Sequence, residues 1–148
     1  MLRLIIIIII ILITIIITII TAFAGQCSAL GGQGAALGGK SPLIIFEDSH
    51  LDNAVSAAMM ANFYTQGEIC SNGTRVFVER SIMDAFVEKV KVRAEAMKIG
   101  DPMADDTDMG SLISSDHLDK VMGYIAKGLE EGADLVTGGE RVTEGDLA

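Results

Sequence analysis

The distribution of apolar and polar positions divides the chain near residue 36. Residues 4 to 24 are almost wholly apolar, a run of Leu, Ile and Thr to Thr21 followed by Ala22-Phe23-Ala24. Gly25 to Gly34 is small and glycine-rich, as expected of a flexible linker. From Leu37 onward apolar residues recur with the periods of strands and helices. The pattern therefore sets out an isoleucine-rich apolar segment (1–24), a linker (25–35) and an ordered region (36–148).

Within the ordered region, Leu43-Ile44-Ile45-Phe46 is a short apolar run after Pro42, the signature of a buried strand. Asp48 or Ser49 is placed to cap the next element. Leu51, Ala54, Val55, Ala58, Met59, Asn62 and Phe63 then recur at helical spacing, and the helix runs out near Gln66-Gly67. Arg75-Val76-Phe77-Val78-Glu79 is β-branched and aromatic, and predicts a second strand. Ser81-x-x-Asp84 reads as a capping box opening a helix whose apolar face is Phe86, Val87, Val90, Ala94 and Met97. After a polar loop to about Ser114, a third helix presents Leu118, Val121, Met122, Ile125 and Leu129 and ends at Gly132. Asp134-Leu135-Val136-Thr137 begins a further strand. This order predicts an α/β fold with a mostly parallel sheet, the helical faces serving as core.

The segment 4–24 is long enough to span a bilayer, with Arg3 as a positive flank and Ala22-Phe23-Ala24 as a signal-cleavage pattern. It reads as a signal peptide or membrane anchor, or else as a low-complexity run arising from a frame error or mis-called start. The net charge of −9 argues against nucleic acid, since nothing in the chain would neutralise a row of phosphates. The two cysteines, Cys27 and Cys70, are far apart, and His50 and His117 stand alone. Neither a zinc site nor a disulfide framework is expected. Gly31-Gly32-Gln33-Gly34 is not a nucleotide fingerprint, because the third glycine would fall at Leu37 and no strand precedes it.

Cys70 draws notice because of its loop. It lies between a helix and a strand with Gly67 and Gly73 on either side, where backbone N–H groups are free to turn toward a bound carbonyl oxygen. That setting suits covalent catalysis on an aldehyde or acyl carbon, although by spacing alone the signal is weak.

Gly67-Glu68-Ile69-Cys70-Ser71-Asn72-Gly73-Thr74 resembles the active-site cysteine signature of the aldehyde dehydrogenase family. Leu37-Gly38-Gly39-Lys40-Ser41-Pro42 is similar to that family's second signature, and Ala36 stands 34 residues before Cys70, the family's interval. Gly100-Asp101-Pro102, Met109-Gly110-x-Leu112-Ile113-Ser114 and Gly138-Gly139 follow in the family's order. Asn62-Phe63-Tyr64 through Arg75-Val76-Phe77-Val78, and Gly123-Tyr124-Ile125, are most similar to the betaine aldehyde branch.

The resemblance implies the first part of a catalytic domain and a cytoplasmic, homo-oligomeric NAD(P) enzyme oxidising an aldehyde, here betaine aldehyde to glycine betaine. It implies Cys70 as nucleophile, with its backbone N–H forming half of an oxyanion hole. Attack gives a thiohemiacetal, oxidation a thioester, and water activated by a glutamate releases the acid. Leu37 and Gly38 would lie near the nicotinamide. Three departures follow from the same comparison. The glutamate base directly precedes Leu-Gly-Gly in the family, and Ala36 stands there. The cofactor domain is not recognisable upstream, and the downstream half with the oligomerisation segment is not represented. Ser111 replaces the usual proline. The expectation is a chain that does not turn over alone, the alternative being a non-catalytic, membrane-tethered remnant with a reactive thiol.

Other features read plainly. Asn72-Gly73-Thr74 matches a glycosylation sequon by coincidence, inside the cysteine signature. Asp101, Asp105, Asp106 and Asp108 lack the closing glutamate of a calcium loop and read as a solvated loop. His50 and His117 read as surface or capping residues, and Lys40 as pointing to solvent or a carbonyl.

Overall fold

The computed structural model describes Ile8–Ile9 and residues 41–143. Ala36, Leu37, Gly38, Lys40 and Cys27 lie outside the described residues, as does the apolar segment 4–24 apart from the two-residue strand β1 (Ile8–Ile9). Among the described residues no helix is long and apolar enough to cross a membrane.

Strand β2 (Pro42–Ile45) leads through helix α1 (Leu51–Phe63) to strand β3 (Arg75–Val78). The strands pair in parallel, Pro42 opposite Arg75 and Ile45 opposite Val78. The ladder continues at both ends, where Arg75 N–H donates to Ser41 O at 3.2 Å and Glu79 N–H to Ile45 O at 2.9 Å. Two parallel strands need a crossover of this kind, because their ends lie at opposite edges of the sheet. Helix α2 (Met83–Glu95) packs on α1. Helix α3 (Ser115–Glu130) and strand β4 (Leu135–Thr137) follow, β4 running parallel to β1. The described residues thus form the predicted α/β arrangement with parallel pairing, though as two separate two-stranded pairs and not one continuous sheet.

The principal core lies between the β2–β3 pair, α1 and α2. Ile45, Val55, Ala58, Met59, Phe63, Val78, Met83, Phe86, Val90, Ala94 and Met109 are buried together, with Leu51, Ala54, Val87 and Met97 packed around them. Phe86 is 1% exposed and Val55 equally enclosed; full burial of such a side chain stabilises by about 1.5–3 kcal/mol. The predicted faces of α1 and α2 are these residues. On α3, Leu118, Val121 and Ile125 are buried as expected, but Leu129 is exposed and Gly128 occupies the inward position instead. The inward stripe of α3 runs 118, 121, 125, 128, and Leu129 falls a helical step of about 100° off it.

The capping expectations are corrected. The residue at the start of α1 is His50, with no side-chain cap, and the Ser49 hydroxyl is buried without a hydrogen-bond partner among the described residues. Ser81 does not cap α2. It lies in a short 3-10 helix (Arg80–Ile82), and its hydroxyl donates to the Glu47 carboxylate at 2.9 Å. Glu79 meanwhile accepts from Glu47 N–H at 2.8 Å. These bonds fasten the turn after β2 to the turn after β3, and the hydroxyl so engaged is lost to the helix. Ser114 is a true N-cap, accepting from His117 N–H at 3.2 Å.

The acidic loop 101–108 is held by its own backbone. Asp108 accepts from Lys98 N–H at 2.9 Å, Asp101 from Met103 N–H at 2.8 Å, and Asp106 pairs with Lys98. No group of three His, Cys, Asp or Glu side chains is arranged to hold a metal among the described residues.

Candidate functional site

The loop carrying Cys70 begins with three consecutive residues in the left-handed region. Thr65 (φ 53°, ψ 50°), Gln66 (φ 52°, ψ 22°) and Gly67 (φ 70°) follow α1 in a short 3-10 turn, Tyr64–Gly67. Glycine adopts this conformation freely, whereas a β-branched threonine there is a true outlier. The reversal is closed by Glu68 N–H donating to Thr65 O at 3.0 Å.

A second turn follows at once. Asn72 N–H donates to Ile69 O at 3.0 Å, which leaves Cys70 and Ser71 at the two corners. The amide groups of corner residues are not used by such a turn, and no acceptor among the described residues takes the Cys70 N–H. The thiol is free and exposed. The chain then plunges inward: Asn72 and Thr74 are buried, and Thr74 N–H bonds to Asn72 O at 2.8 Å. Burial of Asn72 leaves no room for a glycan on the folded chain, which disposes of the sequon.

Gly73 sits where α1 and β2 converge. A Cβ built on it would lie 3.2 Å from Ala61 Cβ and 3.3 Å from Leu43 Cβ, closer than side chains ordinarily approach. A side chain here would require Ala61 or Leu43 to give way by a few tenths of an ångström. The exposed corner at Cys70 is thus followed by a closely packed, buried segment.

The parallel register places this loop at one particular edge. Cys70 precedes the amino end of β3, and the segment ending at Ser41 enters the amino end of the paired strand β2. The general rule for open α/β sheets puts ligands at the carboxyl ends of strands, so strand polarity does not by itself explain this site. What brings the two signature segments side by side is the start of the β2–β3 ladder, where Arg75, the residue after the cysteine signature, donates its N–H to Ser41 O.

One contact of the loop escaped the sequence. Glu68 Oε1 lies 3.3 Å from His117 Nε2, in the first turn of α3, though not aligned as a hydrogen bond. Gln66 Nε2 occupies the space beside Gly110, 3.4 Å from where a Cβ on that glycine would stand. His117 is thus neither a plain surface group nor a side-chain cap, while His50 occupies a cap position without bonding through its ring. An acidic residue beside a candidate thiol was the available signal. Its partner was hidden by distance along the chain.

Comparison with known proteins matches residues 18–147 to the aldehyde dehydrogenase family. Betaine aldehyde dehydrogenase of Vibrio vulnificus is 62% identical over 108 residues, which is 73% of this chain and 22% of that protein. 4-Trimethylaminobutyraldehyde dehydrogenase A of Danio rerio is 54% identical over 107 residues, 72% of this chain and 21% of its own length. Among solved structures, betaine aldehyde dehydrogenase from Staphylococcus aureus in complex with NAD+ aligns over 75% of this chain and 22% of its own, with TM-score 0.72 and 38% identity. HpcC from Thermus thermophilus aligns over 72% and 21%, with TM-score 0.69 and 43% identity. The chain spans about a fifth of the length of the relatives it matches. It belongs to the aldehyde dehydrogenase family.

Proposed function

We propose that Cys70 is the nucleophile of an NAD(P)-dependent aldehyde oxidation, with betaine aldehyde as substrate and glycine betaine as product. The observation that carries this reading is the exposed thiol at the corner of a turn whose own N–H has no acceptor among the described residues. The thiolate adds to the aldehyde carbon, and the oxygen that gains the electron pair lies within reach of the Cys70 N–H. A nicotinamide, when bound, supplies the hydride acceptor that turns the adduct into a thioester.

The two described turns at the carboxyl ends of β2 (Phe46–His50) and β3 (Glu79–Ile82) lack the glycines of a dinucleotide-binding turn, through which a backbone could approach a pyrophosphate. Leu37 and Gly38 are proposed to meet the nicotinamide end alone. Support for the cofactor comes from relatives solved with NAD+. One Staphylococcus aureus betaine aldehyde dehydrogenase variant carries both NAD+ and a BME-modified cysteine, which supports a reactive thiol in this fold. The names of the Vibrio and Danio relatives both specify aldehydes bearing a quaternary trimethylammonium group, which supports that substrate class.

Hydrolysis of the thioester needs a base, and Ala36 occupies its position. Glu68 is no substitute, since its carboxylate is turned toward His117. Loss of a positioned base typically slows such a step by about 10²–10⁴-fold. We accordingly read residues 36–148 as part of a catalytic domain that does not cycle by itself.

The purified chain tests both halves of the proposal. Betaine aldehyde should slow alkylation of Cys70 by iodoacetamide, followed on its own peptide by mass spectrometry, and Cys70→Ser should remove that modification. No steady NADH should form from betaine aldehyde and NAD. Absence of protection would sink the nucleophile, and steady NADH formation would sink the claim of inactivity.

A further inference from the structure

We infer that His117 is a positioning residue for the thiol loop, acting through Glu68. The inference rests on the reading of Cys70 as nucleophile for its consequence in catalysis, but the contact itself does not depend on that reading.

Left-handed backbone at Thr65, Gln66 and Gly67 turns the chain away from α1, and Glu68 is the first residue beyond the reversal. Its carboxylate meets His117 Nε2 at 3.3 Å. That nitrogen is buried and has no hydrogen-bond partner among the described residues, so its contact with Glu68 is one of proximity between ring nitrogen and carboxylate. Within salt-bridge range, Glu68 is the one carboxylate it faces among them. His117 is itself fixed, because its backbone N–H is held by Ser114 at the start of α3. The loop thus meets the segment 110–117 where Glu68 faces His117, with the Gln66 amide in the space beside Gly110, while its other end packs closely at Gly73 between α1 and β2. Cys70 lies between these supports, two residues past Glu68 and three before Gly73. A corner suspended in this way stays in one place only while both supports hold.

The Glu68 side chain is 46% exposed and that of His117 26%, so the pair is a modest one. Its loss should loosen the loop by about two- to fivefold rather than unfold the protein.

The full 148-residue chain is compared with Glu68→Ala, His117→Ala, the double variant and His117→Gln. Two readouts are taken: deuterium uptake of the peptide covering residues 64–75, and the rate of Cys70 alkylation by iodoacetamide. Each single alanine variant should raise uptake by about two- to fivefold and shift the alkylation rate. The double variant should go no further than either single one, because both remove the same contact. Glutamine, which keeps a donor near the position of Nε2, should restore both readouts.

Additive effects in the double variant, unchanged uptake in the singles, or a His117→Gln variant as loose as His117→Ala would each overturn the inference. Should His117→Ala fail to fold by circular dichroism, Glu68→Ala and His117→Gln decide the matter, with unchanged uptake in Glu68→Ala overturning it. If aldehyde gives Cys70 no protection while the variants couple as described, the nucleophile reading fails and the positioning contact stands.

Discussion

Gly73 and Ala61 stand in near-contact: a Cβ on Gly73 would fall 3.2 Å from that of Ala61 and 3.3 Å from that of Leu43. Both neighbours are Cβ atoms fixed to their backbones, one on α1 and one on β2, so neither yields by a rotamer change. The thiol loop is consequently docked by the absence of a side chain. That close approach ties the fold of the βαβ unit to the position of Cys70.

Gly73→Ala should therefore destabilise the chain. A methyl group forced into packed structure costs about 1–3 kcal/mol, partly offset by about 0.4–1 kcal/mol from a stiffer unfolded chain. Urea unfolding should show a lower midpoint at unchanged slope. A midpoint equal to wild type would mean that α1 and β2 part more readily than their packing implies.

Thr65→Gly should act in the opposite sense. Left-handed backbone costs a non-glycine residue about 1–2 kcal/mol, and the Thr65 side chain is exposed, with no hydrogen bond to lose among the described residues. Against this, glycine costs about 0.5–1 kcal/mol through its greater freedom when unfolded. The expected result is a gain of a few tenths to about 1 kcal/mol, read as a higher thermal midpoint. A clear loss would show that the hydroxyl or methyl makes a contact that offsets the strain.

Ser114→Ala removes the one side-chain N-cap found among the described helices, the hydroxyl that accepts from His117 N–H. Such caps contribute about 0.5–2 kcal/mol. Helical signal near 222 nm should melt earlier, and exchange at the first turn of α3 should rise. Because His117 occupies that turn, the thiol-loop peptide should loosen with it.

A small acid-dependent contribution is expected from Asp52 and Lys89. Lys89 Nζ lies 2.7 Å from the Asp52 carboxylate, and this hydrogen bond, followed by the lysine charge, holds the carboxyl below its ordinary value of 3.8. A folded-state value lowered in this way stabilises above the unfolded value. The contribution is lost as pH falls through the folded one. Both side chains are solvent-exposed, so the effect is slight. Comparing wild type with Lys89→Met by urea midpoint, the difference should be constant from neutral pH to about 4 and shrink below it. A difference that grows on acidification would contradict the sign.

Much of the fold was legible because its causes are local. Val55, Ala58, Met59, Asn62 and Phe63 all face inward on α1, as helical spacing requires, and Phe86, Val90 and Ala94 do so on α2. The strands Pro42–Ile45 and Arg75–Val78 lie where continuous apolar and β-branched runs placed them, but the first is not the buried strand expected: Ile45 turns inward while Ile44 and Phe46 are exposed, as alternation along a strand with one covered face requires. Cys70 was legible too, since its signature is contiguous and the turn that exposes it spans four residues, Ile69 to Asn72.

What escaped the sequence depends on partners brought together from far along the chain. Ser81 has the spacing of a capping box, yet its hydroxyl bonds Glu47, 34 residues away, because the parallel register brings the turns after β2 and β3 side by side. Leu129 fits a helical stripe on paper, but the direction in which α3 is packed leaves it in water. The pairing of Glu68 with His117 and the close approach at Gly73 exist only once α1, β2 and α3 have docked. The sequence by itself determined which segments become strand or helix, which faces of α1 and α2 turn inward, and that Cys70 is the residue to examine. Those properties follow from neighbours a few positions apart. Tertiary structure alone decided which distant groups meet the segments flanking Cys70, because only packing chooses among the partners that a polar side chain could reach.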